Sequence, residues 1–334
     1  MPEFKVEGFE TQGGEVLDVR IAYRTLGDLN ADGSNAIVVP TSYAAQDEEA
    51  ELLIAGENGV DLSAYFVVLV NMVSNGLSSS PSNTAAPLDG PRFPGFTVHD
   101  NVACQKRLVD SLGVTPVRLA VGFSMGGLQA FEWGCQHAGF VDAILPICGA
   151  ARVSRHNWLF LDGAKTALRL DPAFQGGDYA AQPAAGLRAF ALIYAGWAHS
   201  QTFFREALYE GLGLSSVEDV VGLMHFYFSR RHANDLLGML WTWQHADISQ
   251  NSRFDGDFEA ALRSITARAI VMPGSTDLYF TAADSRLEVA QMPNAELRVI
   301  ESPFGHIAGG GRVPEGKEAI DRAVSDLLGA ATAS

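Results

Sequence analysis

Cysteine is scarce. The chain holds three, Cys104, Cys135 and Cys148, an odd number with no Cys-x-x-Cys spacing. That pattern excludes a disulfide framework and a thiolate metal knuckle, and leaves buried thiols as the expectation. Positive charge is short as well: 23 Lys and Arg stand against 39 Asp and Glu, for a net charge of −16. A polyanion is repelled by nucleic acid and by an anionic bilayer, so neither is expected as a partner. No apolar run approaches the roughly 20 residues of a bilayer span, and Met1-Pro2-Glu3-Phe4-Lys5 lacks the apolar core of a secretory leader. The expectation is a soluble, cytoplasmic protein without membrane association. Among the histidines, His225 and His232 fall seven apart on one predicted helix, but no third ligand joins them at metal spacing. No metal and no cofactor are expected.

What is present is a foldable chain of 334 residues, 47% hydrophobic and 19% charged. That is enough for one large α/β domain with an insertion, or for two domains. Alternation over Phe4–Phe9 and Val16–Leu26, split by Gln12-Gly13-Gly14, predicts an antiparallel hairpin. Short apolar runs then predict buried strands at Ala36–Val39, Tyr65–Val70, Val117–Val121, Val141–Ile147, Ala267–Met272 and Leu297–Glu301. Thr97 is placed to cap an amphipathic helix through Leu112, and Glu315–Leu328 predicts a closing helix. The turn-rich stretch from Leu77 to Phe96 predicts an ordered surface loop. From Asn157 to Arg253 there is no convincing strand, only helical segments rich in Ala, Leu, Phe and Trp. A parallel sheet needs one helix per crossover, so the excess predicts an inserted helical lid at 157–253, over a core of 1–156 and 254–334.

One stretch organises this pattern. Gly122-Phe123-Ser124-Met125-Gly126-Gly127 lies between a strand and a helix, the layout of the Gly-x-Ser-x-Gly nucleophile elbow of the α/β-hydrolase fold. A serine hydroxyl needs a base, and the base needs an acid to hold its tautomer. In this fold both lie on loops after later strands. Asp277, in Pro273-Gly274-Ser275-Thr276-Asp277, and His306, in Ser302-Pro303-Phe304-Gly305-His306, follow the last two predicted strands. The expected roles are Ser124 as nucleophile, His306 as base and then acid, and Asp277 as its partner. Asp284 is a rival acid, but it falls inside a helix starting near Thr281. An oxyanion hole needs two backbone N–H groups: Met125, after the nucleophile, and Ser42, in the loop after Val39, with Tyr43 one register away. The usual His-Gly signature is missing from that loop.

The elbow with its continuation, Leu128-Gln129-Ala130-Phe131-Glu132-Trp133, resembles that of the homoserine O-acetyltransferases. So do Gly149-Ala150-Ala151-Arg152-Val153-Ser154-Arg155-His156-Asn157 and Asp171-Pro172-Ala173-Phe174-Gln175-Gly176-Gly177-Asp178-Tyr179. The resemblance covers nearly the whole chain. It implies an α/β-hydrolase core, a lid that often mediates dimerisation, and a Ser-Asp-His triad matched by Ser124, Asp277 and His306.

The departures from the transferases are more telling. Those enzymes follow the catalytic histidine with an aspartate for the homoserine amine, where this chain has Ile307. Their arginine for the homoserine carboxylate and a later tyrosine correspond to Ala191 and Ala198 in an ungapped register; Arg188 or Tyr194 would substitute if the register slips. A zwitterion buried without charged partners pays a large desolvation cost. The expected substrate is therefore a small ester rather than homoserine. The reading is a serine hydrolase of short acyl esters, and a homodimer through the lid. The alternative is an O-acyltransferase from acyl-CoA to another alcohol, and a third reading is a non-catalytic binding protein on the same fold.

Overall fold

The computed structural model describes residues 1–329. Eight strands form one sheet: β1 (Glu3–Glu10), β2 (Val16–Leu26), β3 (Ala36–Pro40), β4 (Phe66–Val70), β5 (Val117–Phe123), β6 (Ala143–Ile147), β7 (Arg268–Val271) and β8 (Ala295–Leu297). Their spatial order is β1-β2-β4-β3-β5-β6-β7-β8. The first two neighbouring pairs, β1–β2 and β2–β4, are antiparallel and the other five are parallel. Eleven α-helices are found among the described residues: α1 (Asp47–Glu51), α2 (Val98–Ser111), α3 (Met125–Gln136), α4 (Arg155–Arg169), α5 (Ala184–Ala198), α6 (Gln201–Arg205), α7 (Val217–Ser229), α8 (Ala233–Gln244), α9 (Phe258–Arg263), α10 (Ala282–Val289) and α11 (Pro314–Gly329).

The central strands read as unbroken apolar runs because both faces of the sheet are covered. On β3, Ala36 and Val38 join one core with Val102 and Leu108 of α2 and Phe131 and Trp133 of α3. Ile37 and Val39 point the other way, into a second core with Ala50 of α1 and Ile320, Ala323 and Val324 of α11. β4 repeats the division, Val68 and Val70 on one side and Val67 and Leu69 on the other. The period of two is hidden in the sequence because polar residues never alternate with the apolar ones.

A third apolar cluster lies over the carboxyl ends of the strands. It joins Phe160 and Leu161 of α4, Phe190 and Tyr194 of α5, Phe228 of α7 and Trp243 of α8 to Met125, Leu128, Tyr43 and Tyr279. The segment without strands therefore supplies a helical block that packs on the loops of the sheet.

Two details differ from the sequence expectations. The last strand is Ala295–Leu297 rather than Leu297–Glu301. Beyond it the chain keeps single bonds to its neighbour, Arg298 N–H to Val271 O at 2.9 Å and Ile300 N–H to Pro273 O at 2.8 Å, without regular strand geometry. The loop that begins at Leu77 is not all surface: Ser78, Ser79 and Ser80 are buried. The Ser79 hydroxyl accepts from Arg20 N–H and the Ser78 hydroxyl from Ala22 N–H, so serines serve the β2 donors that no strand reaches.

Glu288 on α10 is buried, and its Oε1 accepts the Ala151 N–H at 2.8 Å while Oε2 has no partner among the described residues. Burial, weakly opposed by that bond, raises its carboxyl from 4.5 to about 8. The unfolded chain releases this proton at lower pH than the native one, so the group's contribution to stability falls as pH rises from about 4.5 to about 8. The Tm of Glu288→Gln relative to the parent should therefore climb between pH 5 and pH 8.5, a difference readable by differential scanning calorimetry.

Candidate active site

Ser124 joins β5 to α3 in a strained backbone conformation, φ 57° and ψ −120°. A non-glycine residue there costs on the order of 1–3 kcal/mol, and its neighbours explain how the turn is held. The Ser124 N–H donates to Ile147 O at 2.8 Å. A Cβ on Gly122 would lie 2.2 Å from the Gly126 carbonyl carbon, and one on Gly126 would lie 2.6 Å from Pro40 O. The elbow thus doubles back on itself and presses α3 against the end of β3.

Asp277 and His306 reach Ser124 from the loops after β7 and β8. His306 Nε2 is 2.9 Å from Ser124 Oγ, and His306 Nδ1 is 2.7 Å from Asp277 Oδ2. An ionised Asp277 only accepts, which puts the imidazole proton on Nδ1 and leaves Nε2 to accept from the serine. Asp277 Oδ1 accepts from the Tyr279 and Phe280 N–H groups at 2.7 and 3.2 Å, so both carboxylate oxygens are fixed. All three side chains are buried: Ser124 is 2% exposed, His306 4% and Asp277 5%. Asp284 does not approach. It is exposed at the start of α10, where its carboxylate accepts from the Thr281 hydroxyl.

The two candidate oxyanion donors come from different elements. Met125 opens α3, and Ser42 and Tyr43 lie in the loop after β3. None of their N–H groups donates to a backbone carbonyl among the described residues. The loop is braced from below, with Thr41 N–H bonded to Val70 O and Thr41 O accepting from Gln129 Nε2 of α3.

Aromatic rings enclose the histidine. Phe123 and Tyr279 lie 4.7 and 4.8 Å from it between ring centroids, and Phe280 5.7 Å. Tyr43 stacks on Tyr194 at 5.7 Å and lies 5.8 Å from Trp243. Ala191 and Ala198 are buried in the same cluster, and Ile307 packs against it. Arg188 lies on the exposed face of α5, while Tyr194 is buried in the cluster. The two residues left open by the register are thereby separated, and no arginine of α5 points into the cluster.

Three contributors were not legible in the chain. Asn157 Nδ2 donates to Tyr279 O at 3.3 Å, tying α4 to the acid loop. Arg231, between α7 and α8, donates from Nε to Ala44 O at 2.9 Å. Cys148, read only as a buried thiol, has φ 44° and sits beside the triad, its sulfur within 4.8 Å of the facing atoms of Asp277 and His306. Burial holds that thiol well above its ordinary pKa, so it stays protonated, and the Asp277 and His306 atoms are already engaged with each other. This donor set does not ask for a metal. His225 and His232 join no metal-type cluster among the described residues.

A serine on a strained strand-to-helix turn, met by a histidine and an acid from later loops of a mostly parallel sheet, is the layout of the nucleophile-elbow class of hydrolase folds. The chain belongs to the alpha/beta hydrolase fold family, whose family model matches residues 57–309. It is 38% identical over 313 residues to the ethyl acetate hydrolase of Pseudomonas veronii, covering 92% of this chain and 89% of that one. The solved structure of the acetyl esterase MekB superposes with a TM-score of 0.95 at 36% identity, over 99% of this chain and 97% of that one. A homoserine O-acetyltransferase of Trichormus variabilis is more distant, 27% identical over 90% of this chain and 87% of its own. The chain is therefore similar to the esterases of a homoserine O-acetyltransferase-like group, as its departures at Ala191, Ala198 and Ile307 suggested.

The elbow tolerates no added atom. Gly126→Ala should destabilise the protein by about 3 kcal/mol or leave it insoluble, because the new methyl meets a backbone carbonyl that cannot give. Urea denaturation beside Gly196→Ala, where a Cβ meets nothing within 4 Å, is the measurement.

Proposed function

We propose that this protein is a serine carboxylic-ester hydrolase acting on short-chain, acetyl-type esters. The observation that carries the reading is the unbroken row Ser124–His306–Asp277, at 2.9 and 2.7 Å, set among aromatic rings. His306 Nε2 takes the hydroxyl proton as Ser124 Oγ attacks the ester carbonyl. Met125 and Ser42 N–H groups receive the oxyanion, where fixed donors stabilise charge that develops only in the transition state. His306 then gives the proton to the departing alcohol, leaving an acyl-enzyme. Water, activated by the same imidazole, releases the acid and restores the serine.

The surroundings favour small, uncharged esters. Ala191, Ala198 and Ile307 offer neither a cation for a carboxylate nor an anion for an amine. The similarity to proteins named ethyl acetate hydrolase and acetyl esterase supports the same class. The distant likeness to homoserine O-acetyltransferases keeps transfer from acyl-CoA to another alcohol as the second outcome of the test.

We also place the enzyme in the cytoplasm, a setting that suits three free, buried cysteines. The helical block, 157–253, acts as a lid over the site and as the face of a homodimer. In support, Leu192 on α5 and Leu223 and Phe226 on α7 are exposed apolar side chains, and α5 and α7 pack together.

With p-nitrophenyl acetate and ethyl acetate as substrates, Ser124→Ala should abolish turnover. Asp277→Asn should lower kcat by roughly 10³–10⁴, since an amide cannot hold the imidazole in its working tautomer. Faster acyl transfer from acetyl-CoA to an added alcohol than to water would favour the transferase, and ester turnover independent of Ser124 would end the reading. Light scattering on a sizing column should give twice the monomer mass, and Phe226→Glu should shift it toward monomer.

A further inference from the structure

The loop after β3 holds a strained residue that its own sequence does not explain. Ala44 adopts φ 57°, a left-handed conformation that costs a residue bearing a Cβ about 1–2 kcal/mol. It is the third residue of a turn closed by the Ala45 N–H on Ser42 O at 3.2 Å. A positive φ at that place fixes which way the Tyr43–Ala44 peptide faces, and with it the course of the turn that carries the Ser42 and Tyr43 N–H groups. If Ala44 relaxed to negative φ, that peptide would flip and the turn would reorganise, displacing the donors upstream of it.

What opposes that relaxation comes from the helical block. Arg231, in the link between α7 and α8, is 8% exposed. Its Nε donates to Ala44 O at 2.9 Å, while its nearest carboxylate, on Glu49, is 4.0 Å from Nη2. Its own carbonyl accepts from Gln182 Nε2 at 2.8 Å, so its backbone is tethered too. A buried guanidinium with one distant counter-charge is a poor stability device, but a charge-assisted bond to a single carbonyl is a strong positioning one. Two neighbouring bonds act on the same loop: Tyr43 OH donates to Leu236 O of α8 at 3.0 Å, and Asn75 Nδ2 donates to Ala45 O at 3.2 Å. Among the described residues, only the Arg231 bond grips the carbonyl of the strained residue itself.

We infer that Arg231 is a positioning residue for the oxyanion hole: by holding the Ala44 carbonyl it keeps the Ser42–Ala45 turn in the form that aims its N–H donors at Ser124. The inference rests on the hydrolase reading above. Arg231 touches no reacting atom. Its effect falls on the transition state, where the oxyanion exists, and little on the bound ester.

The test uses the full-length protein with p-nitrophenyl acetate and with 1,1,1-trifluoroacetone. On this ketone Ser124 Oγ bonds to the carbonyl carbon, the carbonyl π pair moves to oxygen, and the serine proton passes to His306. The adduct thus places an oxyanion in the hole. Arg231→Met should lower kcat by roughly 10–100-fold, short of the 10²–10³ expected for losing a donor outright, with KM within threefold. Inhibition by the ketone should weaken by a similar factor. Arg231→Gln, which keeps an N–H donor, should retain most of kcat. In an Ala44→Gly background, where positive φ carries no Cβ penalty, Arg231→Met should cost less than a third as many fold.

An unchanged kcat in Arg231→Met, or a loss confined to KM, would overturn the inference. So would an equal loss on both backgrounds, which would make Arg231 a structural support rather than a guard of the turn. If Arg231→Met fails to fold, the comparison passes to Arg231→Lys, which puts a methylene where Nε stands, with Arg231→Gln still expected to retain most of kcat. Equal weakening of kcat and ketone binding in Arg231→Lys supports the inference, and an unchanged kcat or weakening of KM alone overturns it. Failure of the hydrolase reading is seen separately, as parent turnover that survives Ser124→Ala.

Discussion

The structure depends on one close approach, that of α3 to the end of β3. Gly126 lies so near the Pro40 carbonyl that a single added carbon would collide with it. The contact presses the elbow helix against the neighbouring strand and places the loop of Ser42 beside the N-terminus that follows Ser124. Strand order makes it possible, because β3 and β5 are adjacent and parallel although α1, β4 and α2 separate them in sequence. Ser124 and the loop of Ser42 meet through the sheet rather than through the chain.

The helical block contributes more than cover. It touches the loops that surround Ser124: Arg231 and Leu236 hold the loop after β3, and Asn157 holds the Asp277 loop at Tyr279. The histidine loop is confined as well, since a Cβ on Gly305 would lie 2.7 Å from Ser200 N. A site made of loops is only as rigid as what packs on them. Here rigidity comes from a few directed bonds set within an aromatic cluster, and the buried polar groups that make those bonds are the ones a bare motif search passes over.

The same cluster surrounds Ser124 with apolar side chains. An apolar wall rewards small acyl groups and penalises an unpaired charge by several kcal/mol. Around His306, Phe123, Tyr279 and Phe280 shield the imidazole from water, which strengthens the bonds of the row they surround. On the resemblance to the transferases, Ala191 and Ile307 stand where those enzymes carry an arginine and an aspartate, and Ala198 where they carry a tyrosine, so the proposed opening chemistry is kept while the second nucleophile need not be homoserine.

By itself the sequence determined the fold class, the elbow, and the candidates for base and acid. Each depends on local patterning: short apolar runs, glycines around one serine, and polar residues just past strand ends. It also offered Ser42, with Tyr43 one register away, for the second oxyanion donor, and it marked 157–253 as a stretch without strands, where the structure has helices. Tertiary structure decided the rest. Leu297–Glu301 looked like a strand, but regular pairing stops at Leu297 because the next residues find only scattered partners on β7 and its loop. Arg188 and Tyr194, equal candidates in sequence, separated once α5 turned one outward and the other into the cluster. Arg231, Asn157 and Cys148 had no local signal, since each bonds to or lies beside a residue more than 100 positions away. A side chain that works by holding a distant carbonyl looks like any other polar residue until the fold brings that carbonyl to it.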